Sequence, residues 1–152
     1  MDQNAVQSEN KQYIVVKLDD EQYGIEIGYV DNIVRFQKPT RVPKTQSYFM
    51  GVINLRGEIV PVMSLRLKFE LDMKDATNAT RIIIIKTEQN AKLGIVVDEV
   101  REVVTLSEED VEKPSFDTGV DEPSTLIGVG KYGDTLISLL NIGSLLNDID
   151  ND

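Results

Sequence analysis

The two halves of this 152-residue chain repeat one another, and the repeat limits the folds that the chain can adopt. Tyr23-Gly24-Ile25 matches Leu93-Gly94-Ile95, and residues 59–65 match residues 136–142 position for position. Internal repetition of a short segment indicates that one supersecondary unit is used twice. We therefore expect two similar structural units.

Further matches extend the repeat along both halves. Residues 14–16 pair with residues 82–84 after a small gap in the turn, and Gly51-Val52 matches Gly128-Val129. At the offset of the first match, four apolar positions coincide in each half: Ile27, Val30, Ile33 and Val34 with Val97, Val100, Val103 and Val104. The repeat predicts that these positions are structurally equivalent.

Short β-type segments separated by turn residues fill each half. In the first half they are residues 13–18, 23–27, 30–36, 51–55 and 58–63, the last two turning at Arg56-Gly57. Several short strands at close spacing favour a small closed β-barrel over a sandwich or an α/β unit. We predict a mainly β chain that is an internally duplicated pair of small barrels with little helix.

The predicted division has three parts: residues 1–12 as a disordered polar tail, residues 13–75 as the first barrel half, and residues 76–152 as the second. The second half ends in a short helix that starts near residue 141. The sequence leaves open which strands close which barrel, because duplicated halves can exchange strands across the middle.

Composition excludes several classes of function. The chain has no His, no Cys and no Trp, so imidazole bases, nucleophile triads and thiolate or imidazole metal sites are excluded. Its net charge of -10 would be repelled by phosphate backbones and anionic lipid surfaces, so we expect neither nucleic-acid binding nor direct membrane contact. The absence of Cys and of a signal-like N-terminus favours a cytoplasmic location, and no apolar run reaches the roughly 18 residues of a membrane span.

Three motifs could be interpreted as binding or catalytic sites, but a purely structural role explains each of them better. Gly128 to Gly133 spells a dinucleotide fingerprint but precedes another β-type run, so we predict a hairpin. The acidic C-terminus at residues 148–152 lacks the Gly and distal Glu of a calcium loop. The acidic residues at 108–112 suit the first turn of a helix. We predict no catalytic residues, no cofactor and no metal site.

The hairpin around Arg56 has two interpretations. In the first, Gly57 occupies a turn position with positive φ and Arg56 extends into water. In the second, Arg56 is a cation of a protein interface, where arginine is enriched and binds carboxylates through two hydrogen bonds. The residue types alone leave both interpretations open.

The motifs together resemble the CheW-like domain family of bacterial chemotaxis coupling proteins. The resemblance is carried by Asn54-Leu55-Arg56-Gly57 with Pro61-Val62 and Leu65-Arg66, preceded by residues 23–27 and Val30 and followed by Gly94-Ile-Val-Val-Asp98 and Val100. The separated motifs occur in the family's order, and the resemblance extends from about residue 13 to residue 146.

The resemblance implies a non-enzymatic adaptor built from two five-stranded barrels of SH3-like or OB-like type. Such adaptors join the cytoplasmic tip of chemoreceptors to the regulatory domain of the histidine kinase CheA. The positions that the resemblance implies for the receptor contact are Val30, Ile33, Gly51, Asn54, Leu55, Arg56, Gly57, Val100 and Val103. The kinase contact has no equally sharp motif and is expected on an apolar surface of the second barrel.

Two alternatives from other classes are kept beside the adaptor. The first is a small-ligand-binding β-barrel protein, and the second is a metal-dependent enzyme that uses carboxylates. A ligand barrel would show a thermal shift with a metabolite, whereas an enzyme would respond to Mg²⁺ or to a chelator.

Overall fold

The computed structural model describes residues 10–43, 46–87, 89–113 and 125–150. The strands are β1 (Lys11–Leu18), β2 (Glu21–Glu26), β3 (Val30–Arg35), β4 (Phe49–Leu55), β5 (Glu58–Ser64), β6 (Arg81–Lys86), β7 (Lys92–Val97), β8 (Glu99–Leu106), β9 (Val111–Glu112), β10 (Leu126–Tyr132) and β11 (Thr135–Leu140). The α-helices are α1 (Leu65–Lys68) and α2 (Ile142–Asp150), and single 3-10 turns cover Ile27–Tyr29 and Glu108–Asp110. None of the helices in these ranges has the length and apolar character needed to cross a membrane.

The strands form two mixed sheets with the same internal order. Sheet A runs β8-β1-β2-β11-β10-β9, and sheet B runs β3-β6-β7-β5-β4. Each sheet contains one parallel pair, β2 with β11 in sheet A and β7 with β5 in sheet B. The mainly β, duplicated architecture predicted from the sequence is confirmed. Within the described ranges the hydrogen-bonded ladders are open, with β8 and β9 at the edges of sheet A and β3 and β4 at the edges of sheet B.

Each sheet combines strands from both sequence halves. The β1–β2 hairpin of the first half lies between β8 and β11 of the second half. The β6–β7 hairpin of the second half lies between β3 and β5 of the first half. A hairpin from one repeat therefore completes the sheet of the other, and the two sheets depend on each other for folding.

In the two parallel strand pairs, individual residues of one half can be matched to residues of the other. Leu139 pairs with Gly24 in sheet A, and Val62 pairs with Gly94 in sheet B. A Cβ at Gly24 would lie 2.8 Å from Leu139 Cδ2, and one at Gly94 would lie 3.3 Å from Val62 Cγ2. At Gly94 the Cβ would also lie 2.8 Å from Ile82 Cγ2 of β6, so side chains of the neighbouring strands pack closely against the backbone of both glycines.

The pairing of residues 14–16 with residues 82–84 is wrong by one residue. Val15 pairs with Gly24, and Ile84 pairs with Gly94, so Val15 corresponds to Ile84. Residues 14–16 therefore correspond to residues 83–85. Four consecutive isoleucines at 82–85 fit either alignment equally well, so side-chain type could not fix the register there.

The core consists of one central cluster and a smaller cluster for each sheet. Ile14 and Val16 of β1 and Ile83 and Ile85 of β6 point into the central cluster, which lies between the two sheets. The alternate residues of the same strands point into the smaller clusters: Tyr13 and Val15 in sheet A, Ile82 and Ile84 in sheet B. Side chains alternate between faces along a strand, so both faces of β1 and β6 are buried.

Both α-helices begin at equivalent positions. Ser64 Oγ accepts a hydrogen bond from Leu67 N at 3.2 Å, and Asn141 Oδ1 accepts one from Ser144 N at 3.1 Å. These N-caps satisfy backbone donors that have no partner inside the helix. The helix α2 extends the one predicted from residue 141, whereas the short α1 was not predicted. Strand β1 begins at Lys11, two residues before the predicted strand and inside the stretch predicted as a tail.

Candidate functional site

The turn between β4 and β5 is prearranged by its own residues. Arg56 has a φ of 55° and Gly57 a φ of 86°, the two consecutive positive values of a type I′ hairpin turn. Gly57 N donates a hydrogen bond of 2.8 Å to Asn54 Oδ1, which closes the turn from one side. Asn54 and Gly57 therefore fix the backbone, and Arg56 occupies the tip.

The Arg56 side chain is exposed and makes no hydrogen bond or ion pair with the residues that the structure describes. Charged neighbours at this end of sheet B are already paired. Lys92 Nζ lies 3.1 Å from Glu58 Oε1 and 3.7 Å from Asp31 Oδ2, and Lys86 Nζ lies 3.4 Å from Asp31 Oδ1. The hydrogen bond to Glu58 raises the pKa of Lys92. The guanidinium of Arg56 is thus left available to an external carboxylate.

The four apolar positions on β3 and β8 separate into two pairs. Val30 and Val100 are half-buried and pack against the central cluster. Ile33 and Val103 point outward, with exposed fractions of 38% and 49%. Each strand carries a register shift just after its half-buried valine, so the structural equivalence of the pairs follows the sequence repeat.

Gly51 and Leu55 are positioned inside sheet B. Leu55 is half-buried against the cluster of this sheet. Gly51 is buried with a φ of 134°, and a Cβ there would overlap the carbonyl of Thr40. Thr40 and Val52 exchange two backbone hydrogen bonds, of 2.8 and 2.9 Å, across this contact. The local role of Gly51 is to let the chain at Thr40 approach β4.

A buried arginine, part of the family motif but not of the predicted site residues, links both sheets. Arg66 Nη1 lies 2.9 Å from Asp19 Oδ1 and 2.9 Å from Asp98 Oδ2, and Nε donates to the carbonyl of Asp72 at 2.7 Å. Its side chain is only 11% exposed. Asp19 N also donates to Asp98 Oδ2 at 2.9 Å. The network connects the β1–β2 turn of sheet A, helix α1 beside sheet B, and the crossing from β7 to β8.

The sequence did contain a signal for this network. Arg66 follows the apolar run at residues 59–65, and a cation in a buried segment requires an acidic partner. The partners could not be chosen by spacing, because Asp19 and Asp98 are each more than 30 residues away. The carboxylates became identifiable only once the sheets were assembled.

A second candidate surface lies on the β10–β11 hairpin of sheet A. Ile127, Tyr132 and Leu136 are exposed there, and Leu136 has an exposed fraction of 62%. The equivalent residue of sheet B, Ile59, is equally exposed at 62%. Leu136 pairs with Lys131 and Tyr132 with Thr135, so the side chains of Leu136 and Tyr132 lie on opposite faces of the hairpin. The motif from Gly128 to Gly133 forms part of this hairpin, as predicted, with Gly133 in its turn.

Comparison with known proteins identifies the family. The model of the CheW-like domain matches residues 12–150, nearly the whole chain. The chain belongs to the CheW-like domain family. The resemblance based on the Arg56 hairpin and its flanking motifs is therefore confirmed, although the roles of the individual site residues stay predictions.

Curated relatives match over most of their length. The chain is 34% identical to the chemotaxis protein CheW of Bacillus subtilis over 88% of this chain and 85% of that protein. It is 33% identical to CheW of Helicobacter pylori over 89% of this chain and 81% of that protein. The CheW-like family is a family of chemotaxis scaffold proteins and is not a catalytic one.

A solved structure supports the fold. The scaffolding protein TtCheW from Thermoanaerobacter tengcongensis superimposes with a TM-score of 0.77 at 32% identity, covering 88% of this chain and 90% of that one. Both the family and the two-sheet architecture are shared with this CheW protein.

The Gly57→Val substitution is expected to lower the free energy of unfolding by about 1–2 kcal/mol, since a β-branched residue is strained at a φ of 86°. No neighbouring atom lies within 4 Å of the Cβ position, so the effect comes from the backbone and not from a clash. The control is Gly28→Val, where the Cβ also meets nothing and φ is not positive. Urea unfolding of both variants measures the difference, and equal midpoints would exclude a strained turn at Gly57.

Proposed function

We propose that this chain is a chemotaxis adaptor that couples the cytoplasmic tip of chemoreceptors to the regulatory domain of the histidine kinase CheA. The observation that carries the proposal is the Arg56 turn, an exposed cation presented by a prearranged hairpin without a partner among the described residues. Family membership supports the same reading, because the matched relatives are chemotaxis proteins and one solved relative is a scaffolding protein.

The receptor-facing surface of the proposal combines charge with apolar contact. Arg56 supplies a guanidinium that can bind a carboxylate through two hydrogen bonds. The exposed side chains of Ile33 and Val103 offer apolar anchors on the edge strands β3 and β8. A receptor tip is a helical hairpin, and an amphipathic helix docks through apolar residues at helical spacing with polar contacts at the rim.

In this arrangement the remaining predicted residues have supporting roles. Val30 and Val100 hold β3 and β8 on the central cluster. Asn54 and Gly57 shape the turn. A substitution at these positions would change receptor binding indirectly, through the position of the contacting side chains.

The kinase-facing surface of the proposal is the exposed hairpin of sheet A. Leu136 is the most exposed apolar side chain of β11, and Ile127 and Tyr132 are exposed at other positions on β10, in a different sheet from the Arg56 turn. Aromatic and aliphatic side chains at the centre of an interface carry most of its binding energy. The Arg56 turn and the β10–β11 hairpin lie in different sheets, which allows both partners to be held at the same time, as an adaptor requires.

The Arg56→Glu substitution is expected to weaken receptor binding by tenfold or more without unfolding the protein. The change reverses a charge that faces the partner, whereas surface substitutions seldom change stability by more than about 0.5 kcal/mol. A receptor-tip binding assay and circular dichroism on the same sample measure both effects. The charge-matched control is Lys113→Glu, an exposed change beyond β9 of sheet A. Unchanged receptor affinity in folded Arg56→Glu would remove Arg56 from the interface.

The Leu136→Glu substitution is expected to weaken binding to the CheA regulatory domain by tenfold or more while receptor binding is retained. A carboxylate at the centre of an apolar contact loses its hydration without gaining a partner. The matched control is Ile59→Glu, the equivalent residue of sheet B with the same exposure. Calorimetric titration of the kinase domain into each variant tests this, and similar losses in both variants would place the kinase contact elsewhere.

A further inference from the structure

Two arginines lie directly opposite each other at the end of the β3–β6 pair. Arg35 of β3 pairs with Arg81 of β6 in the antiparallel register, so both side chains are on the same face of sheet B. Like charges in directly opposite positions destabilise a sheet. Neither arginine makes an ion pair with the residues that the structure describes, although the chain has a net charge of -10.

The equivalent position of sheet A carries no charge. The registers of the β3–β6 and β8–β1 ladders make Thr105 and Gln12 the counterparts of Arg35 and Arg81. The corresponding strands of the two sheets have the same order, and a neutral pair is compatible with the ladder at this place. The fold therefore does not require two arginines here.

A cleft of about 310 Å³ opens beside the arginine pair. Arg81 Nη1 donates to the carbonyls of Asn78 and Thr80, at 2.8 and 2.9 Å, which holds this guanidinium at the cleft. Its Nε and Nη2 groups, and the whole guanidinium of Arg35, donate to none of the residues that the structure describes. The lining contains no carboxylate and consists of Arg35, Phe36, Thr77, Asn78, Thr80 and Arg81.

Two threonine hydroxyls add further donors. Thr77 Oγ1 accepts a hydrogen bond from Ala79 N at 3.1 Å, and Thr80 Oγ1 accepts one from Thr77 N at 2.8 Å. A hydroxyl that accepts in this way still has its own proton to donate. Thr80 is buried, so its hydroxyl has a fixed position. The cleft thus presents guanidinium and hydroxyl donors, while the carbonyls beside it are already bound by Arg81.

The local charge stays positive when the neighbouring cavity along the α1–β6 segment is included. Together the two linings and Asp19, which holds Arg66, contain five cations and three carboxylates. Asp75 is the carboxylate among these three that makes no ion pair. It does not line the cleft and is not paired with either arginine. An anion is therefore favoured over a cation at this place.

We propose that this cleft binds the phosphate group of a small molecule, either orthophosphate or a phosphate monoester. A carboxylate has two oxygens, which one guanidinium satisfies, whereas a tetrahedral oxyanion can accept from two guanidinium groups and from hydroxyls. The organic part of a monoester lies against Phe36, which lines the cleft. The cleft shares no residue with the proposed receptor-facing and kinase-facing surfaces, so the phosphate site and the adaptor function are tested separately.

The test uses three anionic probes: orthophosphate, phenyl phosphate and benzoate. Each is titrated into the full chain at constant ionic strength and followed by NMR chemical shifts, including the Nε–H signals of arginine. We expect phenyl phosphate to bind at least about tenfold more tightly than benzoate and to shift signals of Arg35, Thr80 and Arg81. Tighter binding of phenyl phosphate than of orthophosphate assigns the site to a monoester, and equal binding assigns it to orthophosphate. Absence of binding by both phosphates at millimolar concentration, or equal binding of benzoate, would overturn the proposal.

Substitutions locate the binding. Arg35→Thr introduces the residue of sheet A and is expected to weaken phenyl phosphate at least about tenfold without loss of stability, because it also removes the repulsion from Arg81. The control Arg41→Thr removes the same charge from an exposed residue that does not line the cleft, and should leave binding nearly unchanged. The double change Arg35→Thr with Arg81→Gln reproduces the neutral pair and should abolish binding. Wild-type affinity in folded Arg35→Thr, or an equal loss in Arg41→Thr, would contradict the proposal.

Discussion

Replacing Arg66 with methionine is expected to lower the free energy of unfolding by roughly 2–4 kcal/mol. The substitution keeps an apolar stem but leaves the Asp98 carboxylate, whose side chain is only 19% exposed, without its guanidinium. Removing one member of a buried ion pair is costly because the other charge stays desolvated. The half-exposed Asp19 can be rehydrated, so the expected loss is below that of a fully buried pair.

The matched control is Arg101→Met. Arg101 lies 3.8 Å from Glu99, and both side chains are more than 40% exposed, so this loss should not exceed about 0.5 kcal/mol. Urea unfolding of the two variants and wild type gives the comparison. Equal stabilities for Arg66→Met and Arg101→Met would show that the network does not hold the sheets together.

The Arg66 effect should also depend on pH. The hydrogen bond from Arg66 lowers the pKa of Asp19 below its ordinary value of 3.8. A carboxyl whose pKa is lowered by folding contributes stability that is fully present above 3.8 and is lost as the pH falls through its folded-state value. The difference in unfolding free energy between wild type and Arg66→Met should therefore be largest near neutral pH and shrink below pH 3.8. A paired carboxylate becomes protonated by about pH 2. A difference in unfolding free energy that stays constant from neutral pH down to that value would contradict this linkage.

Replacing Gly51 with alanine is expected to destabilise the protein by roughly 3 kcal/mol or more, because backbone strain and overpacking add at this position. Gly51 has a φ of 134°, which residues with a side chain rarely adopt. Its Cβ would overlap the backbone of Thr40, which cannot rotate away as a side chain can. The bridge between Thr40 and Val52 would have to open.

The control for Gly51 is Gly143→Ala in helix α2. There the nearest atom to the Cβ position is Asn141 Oδ1 at 3.5 Å, an ordinary contact, and alanine favours a helix. Thermal unfolding should show a strongly lowered midpoint for Gly51→Ala and an equal or higher midpoint for Gly143→Ala. If the thermal unfolding midpoint of Gly51→Ala equals that of wild type, Thr40 does not pack on β4 as it does in the structure.

The local parts of the fold were predictable from sequence. The turn at Arg56-Gly57 and the alternation of apolar residues in β1 depend on residues close together in the chain. The repeat predicted that Gly24 and Gly94 are equivalent, and both contact the neighbouring parallel strand in the same way. These features follow from turn chemistry and side-chain alternation.

Features that depend on assembly were not predictable in the same way. The mixing of strands from both halves leaves no local signal, because either assignment satisfies the same pattern. The Arg66 network joins three distant segments of the chain. A cavity beside sheet B likewise forms only where Phe36, Met50 and Val96 meet the segment between α1 and β6. The predicted apolar positions on β3 and β8 likewise could not be divided into half-buried and exposed pairs before the register shifts were known.

The adaptor proposal is tested most directly by the bridging of its two partners. Receptor-tip assemblies are sedimented with the kinase CheA in the presence and absence of this chain, and the kinase in the pellet is measured. We expect the kinase to sediment with the receptor when wild-type chain is added, and much less with Arg56→Glu or Leu136→Glu, each of which should break one of the two contacts. Sedimentation of the kinase that is independent of the chain, or unchanged by both variants in folded form, would contradict the proposed coupling.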